Sequence, residues 1–123
     1  MRLNRLWTTV DGAISDLGDP SRDRRANAGT WVWARGYDRF SADERRRLAE
    51  ALRPVAEADS DPAARAQAIV ALIGLRVDGS VERALPALRD PDWGMRTIVA
   101  SEIAARRAIR SLEKQANNPS RHP

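Results

Sequence analysis

"DPDWGMRTIVASEI" (residues 90–103) and "DSDPAARAQAIVAL" (residues 59–72) share one skeleton: an Asp, a second Asp two residues on, an Arg six residues after the first Asp, and an apolar helical run. A third stretch, "DPSRDRRANAGTWVWARG", begins at Asp19 and places Arg25 as Arg65 follows Asp59 and Arg96 follows Asp90. "RANA" (residues 25–28) lies over "RAQA" (residues 65–68), and the three copies begin 40 and 31 residues apart, a spacing within the range of helical arrays. A more amphipathic segment precedes each copy, at about residues 2–17, 42–58 and 80–89. The predicted unit is therefore a first helix, a tight acidic turn and a second helix. A carboxylate in the turn accepts backbone N–H groups and complements the dipole of the helix it starts. An Arg one and a half turns into that helix reaches an acidic turn, of its own or of a neighbouring unit, with a charge-assisted bond.

The intervening sequence supports helices throughout. Ser41 with Glu44 three residues later predicts a capping box, and Leu48, Leu52, Val55 and Ala58 recur on one helical face. Pro54 inside that run is expected to kink the helix or end it early. Asp61 is the N-cap expected for the next helix, with Pro62 at its first position, and "VDG" (residues 77–79) closes it. A short helix then starts at Gly79 or Ser80, and the last helix runs from the "DPDW" turn to about Gln115. No segment alternates with period two, so strands are not expected. The organisation predicted is all-α: one domain over residues 1–115, in units at about 2–36, 41–76 and 80–112, with a flexible tail at 116–123.

Composition narrows the chemistry. The chain has no Cys and a single His, His122, which excludes structural disulfides and argues against a conventional zinc site. No signal peptide or membrane span is legible, so the expected location is the cytoplasm. Of the 21 basic residues only Lys114 is a lysine, a skew that suits a GC-rich, bacterial-like coding sequence and equally a surface that binds carboxylates or phosphates. The net charge of +4 is a mild footprint for either. No His is placed as a base, no Cys as a nucleophile, and no Gly-rich phosphate loop is present, so neither a catalytic set nor a cofactor or metal is expected. Asp59, Asp61, Asp90 and Asp92 are read as helix caps rather than as metal ligands.

These turns resemble those of HEAT repeats, above all the short phycobilin-lyase-like type, whose second helix opens with a "DPDxxVRxxAAxAL" pattern. "DSDPAARAQAIVAL" fits it well, "DPDWGMRTIVASEI" fits its turn and Arg, and the first copy departs with Ser21 in place of the second Asp. The resemblance covers about residues 3–112 and implies a short right-handed α-solenoid of about three helix-turn-helix repeats, with the second helices lining a concave surface. Two departures stand out: the third first-helix is about a turn short, and Gly29 and Gly36 interrupt the first second-helix.

At about 100° per residue each second helix divides into two faces. Gly29, Val32 and Trp33 lie over Ile69, Leu72 and Ile73, and over Ala100, Ile103 and Ala104, the stripe expected in the core. The opposite stripe, expected to face a partner, carries Arg24, Asn27, Trp31 and Arg35, then Gln67 and Ala71 (with Ala64 and Leu75), then Met95, Ile98, Glu102 and Arg106. Trp31 flanked by Arg24 and Arg35 has the composition of a binding hot spot, or else is roofed by the N-terminal helix or Trp7. Trp93 is expected to pack across its turn. Beyond the body, Ala105, Ile109 and Leu112 form an apolar stripe that the chain itself or a second copy, in a homodimer, would cover, while Arg96, Arg107, Arg110 and Lys114 form a solvated cap. The function expected is a non-catalytic protein-protein interaction module, of adaptor, inhibitor or immunity type. The alternative is a nucleic-acid-binding protein: alkylpurine DNA glycosylases resemble this architecture, with Trp, Asp and Arg in a HEAT-like concavity, though this chain has about half the length needed to embrace a duplex.

Overall fold

A computed structural model describes residues 9–117, and among them the chain forms six α-helices and no strands. In order these are α1 (Val10–Leu17), α2 (Arg22–Arg35), α3 (Ala42–Ala58), α4 (Pro62–Gly74), α5 (Ser80–Ala84) and α6 (Trp93–Ala116). Short 3-10 turns at Tyr37–Arg39 and Leu85–Arg89 precede α3 and α6. The expected start of the first helix at residue 2, any cover from Trp7, and nearly all of the polar tail fall outside the described residues.

The three acidic turns are built alike. The carboxylates of Asp19, Asp59 and Asp90 each accept the backbone N–H two residues on, from Ser21, Asp61 and Asp92. Those next residues cap the helices: the Ser21 hydroxyl accepts from Arg24 N, the Asp61 carboxylate from Ala64 N, and the Asp92 carboxylate from Met95 N. Six residues into each unit an Arg turns back, so that Arg25, Arg65 and Arg96 donate to the carbonyls of Asp19, Asp59 and Asp90 at 2.9, 2.8 and 2.7 Å. Two of the three also reach forward: Arg25 grips both carboxylate oxygens of Asp59, at 2.5 and 3.0 Å, and Arg65 donates to Asp90 at 2.9 Å. The spacing predicted by the motif thus binds each Arg to its own turn, and Arg25 and Arg65 to the next one as well.

Packing follows these links. α2 lies on α4 and α4 on α6, while α1 lies against both α2 and α3. Leu48, Leu52, Val32, Ala28 and Ala71 meet in a first core, and Ile73, Met95, Val99 and Ile103 in a second, smaller one. Each fully buried leucine of the first contributes about 2–3 kcal/mol over an exposed one. Gly29 sets the distance between α2 and α4, because a Cβ there would stand 2.9 Å from the Gln67 carbonyl carbon. By contrast α3 and α5 hardly touch. α5 has only five residues, and a cavity of about 320 Å³ opens beside it, lined by Ala56, Ile69, Leu72, Ala84 and Met95.

Several expectations are corrected. α3 does not end early at Pro54 but runs on to Ala58, because Pro54 and Glu50 both lie on the exposed side, where water can take the Glu50 carbonyl that loses its donor. Ala58 is exposed as well. Trp33, Ala100 and Ala104, expected in the core, are exposed, whereas Ala71 and Met95, expected to face a partner, are buried. For Ala71 the cause is that α4 packs on two sides, burying Ala71 in the first core while Ile73 serves the second; Ala100 and Ala104 lie on α6, after which no further described helix follows. Trp93 does not pack across its turn and is 71% exposed.

Candidate partner-binding groove

α2 and the first half of α6 flank α4 and leave between them an open apolar hollow of about 520 Å³. Gln67 and Val70 floor it, Thr30 and Trp33 form one wall, and Thr97, Ile98, Ser101, Glu102 and Ala105 the other. Trp33 decides its shape. The indole passes beside Gly74, where a Cβ would come within 3.3 Å of the ring, and its Nε1–H donates to Glu102 Oε1 at 2.9 Å. That bond ties α2 to α6 over a separation of 69 residues. Burial raises the Glu102 carboxyl above the ordinary glutamate range, while the Trp33 N–H and nearby Arg106 pull the other way.

Beyond the Trp33–Glu102 bridge lies a second hollow of about 330 Å³, with Glu102 and Ala105 shared between the two. Arg35, Arg39, Arg76 and Arg106 surround it, together with Tyr37, Ile73, Gly74 and Ile109. Arg76 is the only non-glycine residue among those described with a positive φ, 58°. It occupies the residue just past the helix cap, where Arg76 N–H and Val77 N–H bond back to Ile73 O and Leu72 O, a closure at which glycine is usual. Its guanidinium sits 4.4 Å from the Tyr37 ring centre, and Arg45 lies over the same ring at 4.0 Å.

The sequence-predicted residues therefore divide. Gln67, Ile98 and Glu102 meet in the first hollow, with Arg35 and Arg106 in the second. Arg24 and Asn27 are exposed on α2 outside both, Arg24 facing Asp19 at 3.6 Å. Trp31 belongs to neither: it is half-buried against Phe40, with the Arg35 guanidinium 5.5 Å from its ring. Ala105, Ile109 and Leu112 are all exposed, and no described part of the chain covers Leu112. The residues missed are Thr30, Trp33, Val70, Thr97 and Ser101. Gly74, five residues before Gly79 and without a turn to make, was the available signal, since it leaves room for a large side chain from a neighbouring helix.

No described set of His, Cys, Asp and Glu is grouped as a metal site. The carboxylates of the acidic turns are held by their own backbone. Arg25, then burial and the Asp61 N–H, act on Asp59 with a net fall below the ordinary aspartate range. The Asp92 N–H, ahead of Arg65, does the same for Asp90. Comparison with protein-family models, curated proteins and solved structures finds no match for this chain. No described helix is long and apolar enough to cross a membrane.

Proposed function

We propose that the chain is a short HEAT-like α-solenoid that acts as a non-catalytic protein-binding module, taking its partner in the groove between α2 and α6. The forward reach of Arg25 to Asp59 and of Arg65 to Asp90 supports the stacked-unit reading, since each link joins one turn to the next by the same chemistry. The observation that carries the function is the groove itself: Trp33, 47% exposed, stands with Ile98 over a mostly apolar hollow and is held in place by Glu102. A large aromatic side chain fixed in one orientation at an open apolar surface is the usual anchor of a protein interface.

Ile98→Glu tests this directly. The side chain is exposed, so the substitution should leave the melting temperature within a degree or two while abolishing capture of the protein that the tagged wild-type chain retains. A captured protein that the variant holds equally well sinks the assignment of this groove.

A further inference from the structure

The second hollow gives the partner a chemistry. Among the described residues the carboxylate-paired arginines all lie along the acidic turns, α2, α3 and α4: Arg22, Arg24, Arg25, Arg46, Arg47 and Arg65. Arg35, Arg39, Arg76 and Arg106, which surround the second hollow, make no ion pair with any described residue. Against these four cations stand Asp38 and Glu102, the second already engaged with Trp33. Like charges gathered round one hollow repel, and an anionic guest relieves that repulsion.

Arg76 strengthens the case. Its backbone lies in the left-handed region at a helix closure where glycine carries no steric penalty, so an arginine there sacrifices stability. What the side chain gains is a fixed place on the Tyr37 ring, with its charge at the rim of the hollow. Strain retained at such a position points to use of the side chain.

We infer that the second hollow binds carboxylates of an acidic segment of the partner protein, whose neighbouring apolar side chain enters the first hollow. This rests on the groove reading and adds the partner's charge to it. A protein segment is favoured over a nucleic acid because the cationic hollow continues, through Glu102 and Ala105, into an apolar one whose wall is Trp33 and Ile98. Arginine suits the task, since its planar fork meets a carboxylate through two parallel bonds.

The test uses the full chain, labelled with ¹⁵N, and three probes: an acetylated Leu-Glu-Glu-Leu-Glu-Glu peptide, its Leu-Gln-Gln-Leu-Gln-Gln counterpart, and a twelve-residue oligothymidylate. The acidic peptide should give saturable shifts at the Arg76 and Arg106 amides and the Trp33 indole N–H. Arg76→Gly should melt at the same temperature as the wild type or higher, yet bind that peptide at least tenfold more weakly. Arg106→Gln, at a side chain with no described hydrogen bond, gives a second reading if Arg76→Gly folds poorly, and should weaken binding likewise. Wild-type affinity for the acidic peptide in both variants, or no saturable shift with that peptide, overturns the inference. Tighter binding of the oligothymidylate than of the acidic peptide overturns it in favour of phosphate. If the glutamine peptide shifts Trp33 and Ile98 as strongly as the acidic one, the groove reading stands and the acidic partner alone is overturned.

Discussion

At the joint between α2 and α4, Arg25 holds both oxygens of Asp59, whose side chain is 5% exposed. At the joint between α4 and α6, Arg65 reaches one oxygen of Asp90, 18% exposed, and its second contact falls on the Met95 sulfur at 3.4 Å. The first joint is backed by α1 lying along α3, whereas beside the second a cavity lies between α3 and α5. The same position, four residues after the Arg, is Gly29 in α2, Ile69 in α4 and Ala100 in α6. Gly29 lets two helix backbones close up, while bulkier residues follow at the later copies. Identical turn chemistry therefore yields a tight joint and a loose one, because the helices behind the turns differ in length and bulk.

Removing the carboxylates should break this contrast most severely. Asp59→Ala deprives Arg25 of its partner inside a nearly closed joint and frees the Asp61 N–H, at a cost of about 3 kcal/mol by urea unfolding. Asp90→Ala, at a more open site, should cost clearly less; equal losses would show that the joints do not differ. Gly29→Ala comes next, at about 2 kcal/mol, since its Cβ meets backbone that cannot move aside. Gly74→Ala meets only the edge of the Trp33 ring at 3.3 Å and should stay within about 0.5 kcal/mol, because a helical alanine offsets the crowding.

Cavity filling sharpens the comparison further. Ala56→Leu points into the space beside α5 and should raise stability by about 0.5–1 kcal/mol, while Ala68→Leu, at a site 1% exposed in the first core, should lower it by about 1–3 kcal/mol. The smallest effect is in pH. Asp59 and Asp90 have folded pKa values below their unfolded ones, so their stabilisation is complete above the usual aspartate range and is lost as pH falls through the lower folded values. Glu102 runs oppositely: its raised folded pKa means that keeping it ionised costs stability above that value, and the cost disappears on protonation. Glu102→Gln retains an acceptor for Trp33 and should flatten this component of a stability–pH curve, leaving the loss of stability in acid.

The acidic turns were legible in the sequence because each depends on residues two, three and six apart, and local spacing dictates their bonds. The capping box at Ser41 and Glu44 was legible for the same reason. The wall of the groove was not. Trp33 follows Arg25 by eight residues as Ile73, which is buried, follows Arg65, and helical periodicity assigns both to the core. What separates them is the close approach at Gly29 and the room at Gly74, which send the indole across α4 to Glu102. Trp31, read as either a partner-facing hot spot or a roofed residue, is half-covered by Phe40 from the following turn, a contact its own helical period does not encode. Long-range packing of one large side chain is not encoded in the period of its own helix.

Native-state hydrogen exchange, read amide by amide, tests the unequal joints most directly. Amides of α3 and the central turns of α4 should exchange only through global unfolding, whereas those of α5 and the first turns of α6 should open at a free energy lower by a few kcal/mol. Uniform protection across α3, α4, α5 and α6, or earlier opening at the Asp59 turn than at the Asp90 turn, would contradict the account.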